Sequence, residues 1–150
     1  MVALDVPAEY GYAIIGCVVI PTMAGMHMGG PVMKARKECD VPYPNCYATP
    51  GYHKRADEFN RVQRGHQNYY EGLTSYMAMA LIGGLKYPII NAVGGVLFSI
   101  GSILYQKGYM DVKLDVGMAR YKKGGAVKWI GFLAAFGTSI TCGIQLALSK

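Results

Sequence analysis

The chain has 150 residues, of which 52% are hydrophobic and 16% are charged, and its mean hydropathy of +0.20 is high for a soluble domain. The net charge of +6 would raise the question of a nucleic-acid partner in a soluble protein, but the basic residues lie between apolar runs, so we expect no nucleic acid. The four cysteines form no CxxC pair and have no histidine cluster beside them, so we also expect no metal site.

Four apolar runs predict an all-α integral membrane protein, a bundle of four transmembrane helices. The first run covers about residues 10–33 and contains Pro21 and Pro31, which a membrane helix tolerates as kinks. A polar, Pro-rich loop follows over residues 34–58. In this loop Cys39 and Cys46 have two interpretations, free thiols or a disulfide, and a cytosolic location favours free thiols.

The second run covers about residues 59–85, and only its half from Gly72 onward is uncharged. The third and fourth runs, about residues 87–108 and 126–148, are uncharged between their ends and are separated by a basic loop over residues 107–123. Lys128 and Trp129 mark the expected membrane interface of the fourth run. A soluble helical bundle would show polar faces at helical period, and the last two runs show none. Residues 1–150 are therefore predicted to form one membrane domain.

The basic residues predict the orientation. Thirteen of the fifteen Lys and Arg residues lie in or beside the two long polar loops. The side that carries the termini keeps only Lys86 and Lys150, with acidic Asp5 and Glu9. The positive-inside rule therefore places both polar loops in the cytosol and both termini opposite.

Polar side chains recur along the second run at steps of three and four residues, which places them on one helix face. They are Arg61, Arg64, Asn68, Glu71 and Ser75. A carboxylate within a membrane needs a partner and a polar surrounding, and Arg64, Arg61 or Arg36 supplies the partner. Interhelical hydrogen bonding explains a lone Asn or Ser. Arginines beside a carboxylate instead favour a site for a small zwitterionic or anionic ligand.

The chain resembles the membrane-associated proteins in eicosanoid and glutathione metabolism, the MAPEG family, in the segment FNRVQRGHQNYYE at residues 59–71. The resemblance extends to KARK at residues 34–37, to VPYP at 41–44, and to the Leu104-Tyr105 and Gly108-Tyr109 pairs. It therefore spans most of the chain. One departure follows Glu71, where the family commonly has an aromatic residue and then Pro, and this chain has Gly72 and no Pro.

This resemblance implies a homotrimer of four-helix bundles, with glutathione as co-substrate between adjacent subunits near the cytosolic face. It also implies a set of glutathione contacts: Arg36, Arg64, His66, Asn68, Glu71, Tyr105 and Tyr109. Without the resemblance, the two tyrosines are more simply members of an interfacial aromatic belt. Relatives activate the glutathione thiol with an arginine after the third helix, and Arg120 is the only arginine of that segment here, with Lys122 and Lys123 as alternatives.

The implied activity is glutathione transfer to lipophilic electrophiles, with glutathione peroxidase action on lipid hydroperoxides. Membrane lipids are then the surroundings, and the endoplasmic reticulum is the family's usual location, with the mitochondrial outer membrane as the alternative. The altered position at Gly72 and the longer basic loop keep a second hypothesis open. In that hypothesis the chain is a non-catalytic, lipid-binding or accessory subunit of a larger membrane complex.

Overall fold

The described part of the chain has an all-α fold, as predicted. The computed structural model describes residues 6–149, so Asp5 and Lys150, which entered the charge count above, lie outside the described residues. Its helices are α1 (Tyr10–Glu38), α2 (Ala56–Gly84), α3 (Pro88–Met110), α4 (Val116–Lys122) and α5 (Lys128–Leu148). Helices α2, α3 and α5 pack against one another, and α1 packs on α2 and α3.

Three helices are long and apolar enough to cross a membrane: Tyr10–Glu38, Pro88–Met110, and α5 together with the 3₁₀ turn before it, Gly125–Leu148. Large apolar side chains project outward from α3 and α5, among them Val93, Ile130, Leu133 and Phe136. Water would not stabilise such surfaces, whereas hydrocarbon does. These helices indicate a membrane protein. Helix α2 has 29 residues but does not belong to this group, and its first half carries the polar face described above.

Close contacts between backbones hold the long helices together. A Cβ atom added at Gly95 of α3 would lie 1.8 Å from the carbonyl oxygen of Gly16 in α1, and one added at Gly131 of α5 would lie 2.1 Å from that of Gly94. Small residues at such crossings let membrane helices approach closely. In the core the ring of Tyr76 stacks on Phe98 at a centroid distance of 4.0 Å. The bundle is therefore tightly packed around α3.

Helix α1 continues through both prolines. It contains one π-helical segment, Ile15–Val19, just before Pro21, and Pro31 lies inside its last third. Neighbouring side chains bond to its carbonyls: Tyr69 Oη donates to Pro21 O, and Gln106 Nε2 donates to Met28 O at 2.9 Å. These two bonds fix α1 to α2 and α3 beside its prolines.

The two polar loops are folded onto the bundle. The first is fixed to α2 by Asn60, whose side chain bonds to both backbone groups of Ala48 at 2.7 and 2.9 Å. The second contains α4, which is capped by the Asp115 side chain accepting from Met118 N at 3.3 Å. All four cysteines are free; Cys46 is exposed and the others are buried.

Candidate functional site

The polar face of α2 carries an ion pair. Arg64 Nη1 lies 2.6 Å from Glu71 Oε1, and the two side chains are 41% and 46% exposed. Seven residues are about two helical turns, so these long side chains reach along the same face. Of the partners considered for Glu71, Arg64 is therefore the one that the structure pairs with it.

Arg61 has a different environment from Arg64. Its side chain is buried, and it donates to three backbone carbonyl oxygens: Tyr109 O at 2.7 Å, Asp111 O at 2.9 Å and Leu114 O at 3.0 Å. Carbonyls at a helix C-terminus lack partners within the helix and carry partial negative charge. The guanidinium of Arg61 therefore fixes the end of α3 and the chain that follows it.

Two tyrosines of α3 form the next part of the site. The rings of Tyr105 and Tyr109 contact edge to face with centroids 5.4 Å apart, and both side chains are buried. Arg120 of α4 donates from Nη1 to Tyr109 Oη at 3.2 Å, and its guanidinium lies 5.1 Å from the centroid of the Tyr121 ring. Residues of an aromatic belt would face the lipid headgroups, whereas these two tyrosines lie in the protein interior.

Arg120 remains a cation in this surrounding. Hydrogen bonds to Tyr109 and then to Tyr121 are the main causes that raise the pKa of Arg120 above its ordinary value. Its Nε atom is buried and has no hydrogen-bond partner within the described residues. A buried donor without a partner is uncommon, because it loses its bond to water on folding. A ligand oxygen or sulfur would satisfy it.

Lys128, at the start of α5, joins the α2 face to the tyrosines. Its residue surface is 6% exposed, and Nζ donates to Asn68 Oδ1 at 3.0 Å. The same ammonium lies 4.2 Å from the centroid of the Tyr105 ring and 5.1 Å from that of Trp129. Sequence reasoning missed this role because a lysine at the start of an apolar run matches an interface anchor. Only the packing of α5 against α2 and α3 brings it inside.

An apolar cleft adjoins these groups. It has a volume of about 340 Å³ and is lined by residues of α2, α3 and α5: Asn68, Glu71, Gly72, Ser75, Phe98, Lys128, Trp129 and Phe132. One end therefore offers charge and hydrogen bonds, while Phe98 and Phe132 offer an apolar wall. Ligand sites combine apolar walls with a few polar groups in this way.

Two of the predicted contacts lie elsewhere. Arg36 donates to Val41 O at 3.0 Å and Asn45 O at 2.7 Å, and its guanidinium packs on the Tyr43 and Phe59 rings. His66 faces Gly29 of α1, and its ring meets that of Tyr70, on its own helix, edge to face at a centroid distance of 5.0 Å. The remaining predicted residues form one connected set once Lys128 is included: Arg64, Asn68, Glu71, Tyr105, Tyr109 and Arg120. Lys128 links Asn68 to Tyr105, and the Arg64–Glu71 pair adjoins Asn68 because Glu71 and Asn68 line the same cleft.

The set can hold a zwitterion and stabilise an anion. Arg64 and Arg120 suit carboxylates or a thiolate, Glu71 suits an ammonium, and Asn68 supplies both a donor and an acceptor. Among the described residues no group of three or more His, Cys, Asp or Glu could hold a metal ion.

The comparison with protein families matches the same part of the chain. The model described as the MAPEG family matches residues 14–141. This range covers α3 whole and most of α1 and α5, and it includes every residue of the connected set as well as Arg36 and His66.

Proposed function

The chain belongs to the MAPEG family, and from this premise we propose that it is a membrane-bound glutathione transferase. It would conjugate glutathione to lipophilic electrophiles or use it to reduce lipid hydroperoxides. Within the family, we propose that microsomal glutathione S-transferase 3 is the member most similar to it. The observation that carries the proposal is the connected set. Glu71 of the Arg64–Glu71 pair lines one cleft with Asn68 and Lys128, and contacts continue from Lys128 to Tyr105, Tyr109 and Arg120.

The residues present fit glutathione, which has two carboxylates, one ammonium and one thiol. Arg64 would hold a carboxylate, Glu71 the ammonium, and Asn68 a peptide group. Arg120 supports the fit because its buried Nε has no partner within residues 6–149. Arg36 and His66 have their contacts away from this set, so they would join the site only from a neighbouring copy of the chain. A homotrimer with sites between subunits would provide that neighbour.

The chemistry requires the thiolate form of glutathione. Arg120 would favour the anion by its charge, and the thiol proton would leave to water. In conjugation the sulfur forms a bond to the electrophilic carbon, and the electron pair of the broken bond stays on the leaving atom. In the peroxidase reaction two glutathione molecules become a disulfide, while the hydroperoxide is reduced to an alcohol and water. Apolar substrates would reach the sulfur through the cleft beside Phe98 and Phe132.

The membrane arrangement is part of the proposal. We expect α2 to be the fourth transmembrane helix, because its half from Gly72 to Gly84 is uncharged and its charged half is partnered within the bundle. The polar loops would face the cytosol, with the endoplasmic reticulum as the membrane and the mitochondrial outer membrane as the alternative.

A second candidate function is that of a non-catalytic member of the family that binds lipid or supports a larger membrane complex. Two observations favour it: Gly72 offers no side chain to a ligand, and Arg64 and Glu71 already satisfy each other. Such a protein would bind glutathione weakly or would bind it without turnover.

Titration with glutathione tests the proposal and separates the two candidates. We expect binding to the purified protein in detergent, measured by calorimetry, and turnover of a generic electrophile or a lipid hydroperoxide. Arg64→Gln should weaken binding about tenfold, because it removes a charge-assisted bond. Arg55→Gln is the matched control, since the Arg55–Glu58 pair is similarly exposed, at 47% and 41%, and lies outside the site.

Each result has a distinct meaning. Absence of glutathione binding by the unmodified protein would reject the proposed function. Binding without turnover would favour the non-catalytic alternative. Equal loss of affinity in Arg64→Gln and Arg55→Gln would show that the α2 face is not the binding site.

A further inference from the structure

Lys128 is a buried lysine without a carboxylate beside it. Within residues 6–149, no Asp or Glu oxygen lies within 4.0 Å of its Nζ. An ammonium has three N–H donors, and Asn68 Oδ1 accepts one of them at 3.0 Å. The rings of Tyr105 and Trp129 supply weaker cation–π contacts. A buried ammonium is costly unless an anion balances its charge, so an anion in the adjoining cleft would stabilise the charged form of Lys128.

The position of Lys128 differs from that of Arg120. Arg120 bonds to Tyr109, near the end of α3 that joins the polar loop, whereas Lys128 rests on Tyr105. Four residues of helix are about 6 Å, so Lys128 lies about one turn deeper in the bundle. There it borders the cleft whose walls include Phe98 and Phe132. It is thus the cation at the boundary between the polar set and the apolar cleft.

We propose that Lys128 holds the sulfur of bound glutathione as a thiolate, which makes it a catalytic residue beside, or in place of, Arg120. The inference rests on the proposed function. An electrophile dissolved in the membrane arrives from the apolar side, so the sulfur that attacks it belongs where charge and apolar surface meet. In this step only the S–H bond breaks: the proton leaves to water, and the ammonium of Lys128 balances the charge left on sulfur.

Other charged and titratable groups surround the ammonium and set the balance of charge. Glu71 of α2 lines the same cleft, Tyr105 of α3 lies under the ammonium, and Arg120 of α4 is the nearby second cation. Glu71 opposes a thiolate, but its charge is offset by Arg64. The net field at the cleft therefore favours an anion.

The test measures the ionisation of bound glutathione. Thiolate absorbance of the glutathione-loaded protein is followed against pH for the unmodified protein and for Lys128→Met, Lys128→Arg and Lys107→Met. Lys107→Met is the matched control, since Lys107 is an exposed lysine of α3 outside the site. Calorimetry establishes binding first for each protein.

We expect Lys128→Met to bind glutathione within about threefold of the unmodified affinity but to raise the midpoint of the thiolate titration by about one pH unit. That is a tenfold smaller ionisation constant of the bound thiol. Lys128→Arg should restore most of the thiolate signal, and Lys107→Met should leave it unchanged.

An unchanged midpoint in Lys128→Met, with binding intact, would overturn the inference and leave the proposed function standing. If Lys128→Met does not fold, Lys128→Gln replaces it. If neither folds, the unmodified protein decides. A bound thiol whose titration midpoint is at or above that of free glutathione overturns the inference. Absence of binding by the unmodified protein would instead reject the proposed function, and this role with it.

Discussion

At the scale of single residues, Arg61 and Arg64 show that two arginines on one helix can have different roles. They are three residues apart, yet Arg61 is buried against three carbonyl oxygens while Arg64 is half exposed beside Glu71. Their spacing placed both on the α2 face, but only the position of α3 decides which guanidinium is already satisfied by the fold. Periodicity identifies a face of a helix, and it does not identify what the neighbouring helix presents to each residue.

Arg61→Met should lower the free energy of unfolding by about 3 kcal/mol, because one buried and two partly buried carbonyl oxygens lose a charged donor. The measurement is thermal or detergent-induced unfolding followed by circular dichroism. Arg55→Met serves as the control and should leave stability nearly unchanged, because its ion pair with Glu58 and its bond to Glu38 O are both exposed. Equal effects of the two substitutions would contradict the role assigned to Arg61.

The Asp111–Lys123 pair predicts a pH dependence of stability. Lys123 Nζ lies 2.8 Å from Asp111 Oδ2, and this bond, followed by the Lys113 N–H, holds the pKa of Asp111 below its ordinary value of 3.8. Because the folded-state pKa is the lower one, the pair stabilises the fold above the unfolded-state pKa. That stabilisation is lost as the pH falls through the folded-state pKa.

Comparison with Asp111→Asn isolates this contribution. The unmodified protein should melt at a higher temperature than Asp111→Asn at neutral pH, and the gap should close as the pH falls from about 5 to about 2. A gap that stays constant over this range would show that the pair does not contribute to stability.

At the scale of elements, the glycines at the α1–α3 and α3–α5 crossings set how close the helices lie. Gly95→Ala should destabilise the bundle by about 1–3 kcal/mol, since the new methyl group would overlap the carbonyl of Gly16 and force the helices apart. Gly143→Ala is the control, because no atom lies within 4 Å of a Cβ added there. Melting temperatures of the two variants in the same detergent make the comparison, and a Gly95→Ala protein as stable as Gly143→Ala would contradict close packing at this crossing.

The elements also show where sequence reasoning ends. The uncharged runs predicted apolar helices because a run of about twenty apolar residues has few alternatives. Helix α4 was not predicted: it has seven residues inside a basic loop, and its start depends on the Asp115 cap. The role of Lys128 was missed for a related reason, since its surroundings come from α2 and α3 rather than from its own helix.

At the scale of the whole molecule, the all-α class, the membrane helices and the family are confirmed. The four-span count, the homotrimer and the orientation stay predictions. Composition and apolar runs suffice to predict the first group, because those properties depend on each segment of the chain separately. The second group depends on what surrounds the chain, namely lipid, other copies and the side of the membrane.

The exposed thiol of Cys46 offers a test of orientation. In sealed vesicles with the cytosolic face outward, a maleimide that cannot cross membranes should label Cys46 without permeabilisation, because its loop is predicted to be cytosolic. A Cys46→Ser, Ser149→Cys protein should be labelled only after permeabilisation, since the C-terminus is predicted to lie opposite. Cys17, Cys39 and Cys142 are buried, so Cys46→Ser alone gives the background. The reverse pattern would invert the predicted orientation.

The Arg64–Glu71 ion pair has a consequence for selectivity under the proposed function. The two charges are each other's counter-ions while the site is empty, so ligand binding is an exchange in which both must receive new partners. A zwitterion offers one charge to each residue and completes the exchange. A simple anion, such as a lipid phosphate, would capture Arg64 and leave Glu71 beside the bilayer without a counter-ion, which is unfavourable. The pair would therefore keep abundant anionic lipids out of the site while admitting an amino-acid-like headgroup.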